Sequence, residues 1–233
     1  MSRASGVAGS PRVGATVRQA AVDLYYNFSS FIPANILFGI ALILVIGAVA
    51  GSPLGWIAIL GLVPMTAGCM GLATSLIRDG HTDLGEFAAQ LRRPWPALAL
   101  GAVQIVLAAV LIVDLMVGDA LGSTIGGILL LSALYGLAIL WIYAVVAWPI
   151  VLDPVRNGEP MAARLRLAGM LVVAHPVRMA GFALLLGVFL GIATIAVAAI
   201  VTFALALACL VAARYVLPAA DRLEGRPPVD AEG

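Results

Sequence analysis

The feature that most constrains this chain is a series of five long apolar stretches, separated from one another by short polar or arginine-bearing segments. Hydrophobic residues make up 63% of the 233 residues. Charged residues make up only 11%, against roughly 25% in a typical soluble domain. Too few polar side chains are therefore present to cover a water-soluble fold of this length. We predict an all-α fold, a polytopic transmembrane helical bundle.

The number of spans depends on the last apolar stretch. A transmembrane helix needs about 20 apolar residues to cross roughly 30 Å of hydrocarbon, and the first four stretches predict one span each. The fifth has 35 uncharged residues, 179–213. It is either one tilted helix of about 52 Å, at 1.5 Å per residue, or a hairpin of two short spans. With the hairpin, the predicted spans are 34–50, 54–77, 97–117, 125–151, 179–194 and 196–213.

The arginines favour the hairpin. All 13 basic residues are arginine, and basic residues in short loops gather on the cytoplasmic side of a membrane. Six spans with the N terminus inside place every arginine in a cytoplasmic segment, whereas five spans would leave Arg214, Arg222 and Arg226 outside. We therefore predict about six spans with both termini inside, in the cytoplasmic membrane of a bacterium. Residues 1–20 and 219–233 are predicted to be flexible cytoplasmic tails.

Two segments between spans are predicted to lie on the inner leaflet of the lipid bilayer. Residues 83–93 and 161–174 combine apolar residues at helical spacing with arginine, which is typical of interfacial helices. Lipid contact is the first reading, and a docking site for a cytosolic partner is the alternative. The candidate contacts to anionic lipid are Arg78, Arg92, Arg93, Arg164, Arg166 and Arg178.

Polar side chains within the spans are the next candidates for function, because each is costly in hydrocarbon. Asp114 lies near the outer end of span three. It either couples transport to a proton or cation, or simply reaches the outer headgroups. Asn35 and Gln104 are predicted to form hydrogen bonds with neighbouring helices.

Span two carries a proline, Pro64, which is predicted to remove a backbone hydrogen bond and to kink the helix. Thr66 is placed to satisfy a freed carbonyl group, and Gly68 and Gly71 allow a neighbouring helix to approach closely. A broken helix of this kind lines the substrate site in some transporters. In other membrane proteins a broken helix has no role in binding and only determines how the helices of the bundle pack.

Catalytic patterns are missing from the sequence. It has no Walker A motif, no zinc-protease motif and no nucleophile elbow. His81 and His175 lie far apart along the chain, without the further ligands that a metal site needs. We expect a protein that is not an enzyme, has no cofactor and no nucleic-acid partner, and has the lipid bilayer as its main partner.

Several segments in order along the chain are similar to a known family. They are NILF from Asn35, PMTAG from Pro64, EFAAQLRRPWPALALG from Glu86, YAVVAWPIVLD from Tyr143 and LAGMLVVAHPVRMAGFALLL from Leu167. Together they resemble the YesL-like family of bacterial integral membrane proteins, over about residues 20–218. The resemblance implies an association with carbohydrate uptake.

The functional prediction combines these observations. We expect a non-enzymatic accessory to a transport or sensing system, with a transporter or another membrane protein as its partner. The alternative is a small transporter or permease subunit that uses the kinked span two and Asp114.

Overall fold

The computed structural model of the protein describes residues 13–92, 94–122, 124–196 and 203–227. Within these ranges the chain is helical and forms no strand, which confirms the all-α prediction. The α-helices are α1 (Val13–Tyr26), α2 (Phe28–Gly51), α3 (Leu62–Asp79), α4 (Leu84–Arg92), α5 (Trp95–Leu121), α6 (Thr124–Val151), α7 (Met161–Ala174), α8 (Pro176–Ile195) and α9 (Leu205–Glu224). Two 3₁₀ helices, Pro53–Gly61 and Pro154–Arg156, precede α3 and follow α6.

Five of the described helical segments are long and apolar enough to cross a membrane. They are Phe28–Gly51, Ile57–Asp79, Trp95–Leu121, Thr124–Val151 and Pro176–Ile195. Each overlaps one of the first five predicted spans, so the helical membrane bundle is confirmed. The first begins six residues before the predicted position 34, because Pro33 is accommodated inside α2. The predicted span 196–213 includes residues 197–202, which lie outside the described part of the chain.

Large apolar side chains point away from the protein along α2, α5, α6 and α8. Within the most apolar part of α5 and of α6, only 11% of the residues are buried inside the protein, against 50% in the Ile57–Asp79 segment. Leu44, Val106 and Ile128, for example, are more than half exposed. Exposed apolar surface on this scale requires a hydrocarbon environment. These helices therefore form the lipid-facing wall, and α3 lies inside it.

The last helix, α9, is the second central helix. Thirteen of its residues are buried, and it contacts helices from both halves of the chain. The rings of Phe182 in α8 and Tyr215 in α9 stack with their centroids 4.2 Å apart. Leu190, farther along α8, lines the same cavity as Leu205 near the start of α9. The two helices therefore run antiparallel, and the reading of 179–213 as one long helix is wrong.

Both predicted tails are partly helical. Helix α1 begins at Val13, inside the expected flexible segment 1–20, because Ala20 is buried against the bundle and Asp23 forms an ion pair with Arg214 of α9. At the other end, α9 continues past position 219 to Glu224 and stops at Gly225, whose φ of 71° ends the helix. Ion pairs within the protein order these segments, which composition alone does not reveal.

Helix α4, predicted to lie flat on lipid, instead packs against α3. Phe87 is only 3% exposed, and its ring occupies the space beside Gly68 where a Cβ atom would otherwise lie. A Cβ on Gly71 would lie 2.8 Å from Cγ of Gln90. The two glycines of α3 thus allow α4 to pack closely against α3, and Phe87 of its apolar face is covered by protein.

Candidate functional site

A cavity of about 470 Å³ lies between α3, α5, α6, α8 and α9. We call it the interhelical cavity. Its walls are apolar side chains such as Val63, Met70 and Leu186, together with the indole rings of Trp141 and Trp148. Among the residues that the structure describes, no acidic or basic side chain lines it. The cavity is therefore suited to an apolar molecule and unsuited to an ion.

Gln104 supplies the cavity with one free hydrogen-bond donor. The indole Nε1 of Trp148 donates to Oε1 of Gln104 at 2.9 Å. An indole nitrogen only donates, so this contact fixes which end of the amide is oxygen. The remaining group, Nε2, is buried and has no hydrogen-bond partner in the described part of the protein. Leaving such a donor unpaired costs about 1–3 kcal/mol, so the site favours an occupant with an acceptor oxygen.

The start of α3 shapes one side of the cavity. Pro64 is the third residue of α3 rather than a mid-helix residue, because the preceding segment Pro53–Gly61 is a 3₁₀ helix. At this position its missing N–H removes no bond of the α-helix. The predicted proline kink is therefore wrong, and the irregularity is a change of helix type before Leu62. The Thr66 hydroxyl donates to the Leu62 carbonyl at 3.0 Å, within the same turn.

The other polar residues predicted within the spans lie away from the cavity. Asn35 is fully buried, and its Oδ1 accepts a hydrogen bond of 2.8 Å from the backbone N–H of Ala206. It therefore ties α2 to the beginning of α9. Asp114 is half-buried on the outer part of α5 and does not line the cavity. Of the predicted candidates, the cavity brings together only Thr66 and Gln104.

A buried cluster of charged side chains joins the C-terminal ends of α3, α6 and α9. We call Arg78, Asp153, Arg156, Asp221 and Glu224 the ionic cluster. The guanidinium of Arg78 donates two hydrogen bonds to Asp153, at 3.0 and 2.6 Å, and two to Asp221, at 2.9 and 3.0 Å. Bidentate pairing of this kind is the strongest arginine–carboxylate arrangement. It holds the ends of three helices on one side of the bundle.

Arg156 completes the ionic cluster from the short helix after α6. Its side chain is fully buried, and it pairs with Asp153 as well as with Asp221 and Glu224, each of the latter two at 2.7 Å. Nearby, the Thr74 hydroxyl donates to the Leu152 carbonyl at 3.1 Å and fixes the end of α6 against α3. Within the cluster two guanidinium groups face three carboxylates, and Arg226 also pairs with Glu224 at 3.1 Å. A set of buried ion pairs of this kind is typical of a structural clamp.

The local electrostatics favour the charged forms of these groups. Burial opposes ionisation of Asp221, but hydrogen bonds from Arg78 and Arg156 outweigh it and hold the pKa of this carboxyl below its ordinary value of 3.8. Burial likewise disfavours the charged form of Arg156, yet hydrogen bonds to Glu224 and Asp221 raise its pKa above its ordinary value. Asp221 and Arg156 therefore stay ionised at neutral pH.

Two of the predicted lipid-contact arginines are buried in protein. Arg78 belongs to the ionic cluster, and Arg164 is 7% exposed and donates to the Val151 carbonyl at 2.6 Å. The lipid-contact prediction is wrong for both, because carboxylate and carbonyl oxygens of the protein take the place of lipid phosphate. Arg92, Arg166 and Arg178 are exposed, and for them lipid contact stays a prediction. Arg93 lies outside the described residues.

Sequence reasoning missed Asp153, Arg156 and Asp221, although a signal was present. Each of the segments that end α3, α6 and α9 carries both an arginine and an aspartate. In the predicted six-span topology, spans two, four and six end on the same face. Oppositely charged residues recurring at these three ends could therefore have been paired with one another.

Other kinds of site are not evident in the part of the chain described. Among those residues, no three His, Cys, Asp or Glu side chains are grouped so that they could hold a metal ion. Cys69 and Cys209 are buried and free. Comparison of the chain with protein-family models, with curated proteins and with solved structures found no match.

Proposed function

We propose that this protein is a non-enzymatic multi-pass membrane protein, accessory to a transport or sensing system, that binds an apolar molecule in the interhelical cavity. The observation that carries the proposal is the cavity itself, with apolar walls and one unpaired amide donor, Nε2 of Gln104. The expected ligand has an uncharged hydrocarbon body and a carbonyl oxygen that can accept a hydrogen bond, as an ester, a ketone or a quinone does.

The size and chemistry of the cavity support this ligand class. Small-molecule sites typically measure about 300–1,000 Å³ and combine apolar walls with a few placed polar groups, and this cavity of about 470 Å³ falls in that range. Its walls include α3, α5, α6 and α8, which belong to four of the candidate spans. A ligand dissolved in the bilayer would therefore reach it without crossing water.

The proposed orientation has six spans with both termini in the cytoplasm. The distribution of arginines favours it, and the meeting of the ends of α3, α6 and α9 in the ionic cluster supports it. The resemblance to the YesL-like family suggests a carbohydrate transporter as the partner. Co-purification from native membranes tests this part: recovery of a sugar-transporter subunit supports it, and a reproducible absence of any partner counts against it.

The alternative of a small transporter that uses Asp114 gains no support from the cavity. Asp114 lies outside the cavity lining, and the described lining carries no charge. Loss of pH-dependent uptake in Asp114→Asn would favour this alternative.

Photo-crosslinking tests ligand binding directly. The protein is reconstituted in nanodiscs with a diazirine-bearing fatty-acid methyl ester, irradiated, and mapped by mass spectrometry. Ala108 lines the cavity, whereas its neighbour Ala109 faces away from the protein on the same helix. Ala108→Trp should fill the cavity, and Ala109→Trp is the matched control for a bulky residue on α5.

The expected result is saturable labelling of cavity residues in the wild type and in Ala109→Trp, with at least a tenfold loss in Ala108→Trp. Labelling that is unsaturable, spread over the lipid-facing wall and equal in the two variants would overturn the proposal. Far-ultraviolet circular dichroism of both variants checks that the helices are retained.

A further inference from the structure

A second, smaller pocket of about 180 Å³ lies where the turn between α7 and α8 meets the last part of α9. His175 and Arg178 contribute from the turn and the first residues of α8, and Tyr215 and Arg222 contribute from α9. We call these four residues the anion pocket. Met179, Ala219 and Leu223 complete its lining.

The charge of the anion pocket is not compensated by the protein. Arg178 and Arg222 are both exposed, and in the described part of the chain neither forms an ion pair. No acidic residue lines the pocket. The two acids of α9 on either side of Arg222 are engaged elsewhere: Asp221 pairs with Arg78 and Arg156, and Glu224 pairs with Arg156 and Arg226. The two guanidinium groups are thus left to bind an anion from outside the protein.

The surroundings indicate a site at the membrane surface. Val173 and Val177, on either side of the turn, are 80% and 83% exposed. Two large apolar side chains held this far out of the protein fit the boundary between headgroups and acyl chains. An anion bound beside them would meet guanidinium groups on one side and hydrocarbon on the other.

The geometry points to a phosphate-binding site here, occupied by the headgroup of an anionic phospholipid. Guanidinium groups match phosphate oxygens in a planar, multiply bonded arrangement, and the Tyr215 hydroxyl and the imidazole of His175 add further donors. The first turn of the 20-residue helix α8 adds a favourable dipole. The same chemistry would accept free phosphate, and the exposed valines favour the lipid. This inference is independent of the interhelical cavity.

Native mass spectrometry of the full chain tests the site. The detergent-solubilised protein is titrated with phosphatidylglycerol, with phosphatidylcholine as the neutral lipid and with inorganic phosphate as competitor. The variants are Arg178→Gln, Arg222→Gln and the double variant. The matched control is Arg18→Gln, since Arg18 is an exposed arginine of α1 that does not line the pocket and is not one of the predicted lipid contacts. Thermal unfolding in detergent checks that every variant is folded.

We expect one phosphatidylglycerol to be retained, with about a fivefold loss of affinity for each arginine removed and roughly 25-fold for both. Arg18→Gln should bind as the wild type does, and phosphatidylcholine should not be retained. Failure of millimolar inorganic phosphate to displace the lipid supports the headgroup, whereas full displacement assigns the site to free phosphate. Equal retention by the double variant and Arg18→Gln, or no retention by the wild type, would overturn the inference.

Discussion

Replacing Asp221 by asparagine should strongly destabilise the protein, although the side chain in the ionic cluster keeps nearly the same size and shape. The side chain is 1% exposed and accepts three hydrogen bonds, two from Arg78 and one from Arg156, between 2.7 and 3.0 Å. Asparagine is nearly isosteric, but it removes the negative charge and turns an NH₂ group towards guanidinium donors. The guanidinium groups of Arg78 and Arg156 would then have one carboxylate fewer to pair with in the ionic cluster.

The magnitude follows from this geometry. Removing one partner of a buried ion pair costs about 3–5 kcal/mol, because the remaining charge is left buried and poorly compensated. The matched control is Glu159→Gln, which breaks the pair with Arg226, where the two side chains are 28% and 36% exposed. Exposed pairs contribute about 0–1 kcal/mol. The loss in the free energy of unfolding should therefore be severalfold larger for Asp221→Asn than for Glu159→Gln.

The free energy of unfolding measured by denaturant titration in mixed micelles tests this prediction. A double-mutant cycle with Arg78→Gln should show Asp221→Asn to be less costly in that background, with a coupling energy of about 0.5–3 kcal/mol. A loss below 1 kcal/mol for Asp221→Asn, or no difference from Glu159→Gln, would refute the reasoning that the ionic cluster clamps the three helices.

Three further outcomes are expected. Gln104→Leu should weaken binding of an apolar ligand that carries a carbonyl roughly two- to tenfold, the contribution of one hydrogen bond, and leave binding of a pure hydrocarbon unchanged, as measured by titration in nanodiscs. Gly68→Leu should cost about 1–3 kcal/mol through overpacking against Phe87, whereas Gly47→Leu, where no atom lies within 4 Å of the added Cβ, should cost less in the same denaturant titration. The folded-state pKa of Asp221 lies below its ordinary value of 3.8. The ionised carboxylate therefore stabilises the folded protein above pH 3.8, and this stabilisation is lost as the pH falls below that value. Melting curves from pH 5 to pH 2 should show the loss in the wild type and a smaller one in Asp221→Asn.

The class of the fold could be predicted from the sequence because long apolar stretches allow few structures. The arginine distribution also favoured dividing the last stretch, since one helix would place Arg214 on the side opposite to the other arginines. In the structure α8 and α9 are separate, antiparallel helices. Local patterns carry both signals. The exact start of α2 was missed because Pro33, taken as a boundary, is tolerated within the helix.

The ionic cluster and the cavity depend on contacts between distant parts of the chain. Arg78 is separated by 75 residues from Asp153 and by 143 from Asp221. At the end of an apolar stretch, an arginine is satisfied equally well by lipid phosphate or by a carboxylate of another helix. Sequence alone gives no basis for choosing between them. The same holds for the unpaired NH₂ group of Gln104. It can be identified only from the fold, in which Trp148 donates a hydrogen bond to the amide oxygen.

Identification of the molecule that the protein retains from its native membrane tests the central claim most directly. The protein is purified in mild detergent, extracted with organic solvent and analysed by mass spectrometry, with Ala108→Trp and Ala109→Trp prepared in parallel. The account predicts an apolar compound with an acceptor oxygen, near one molecule per chain in the wild type and in Ala109→Trp, and depleted in Ala108→Trp. The same amount of every lipid in all three preparations would contradict a ligand in the interhelical cavity.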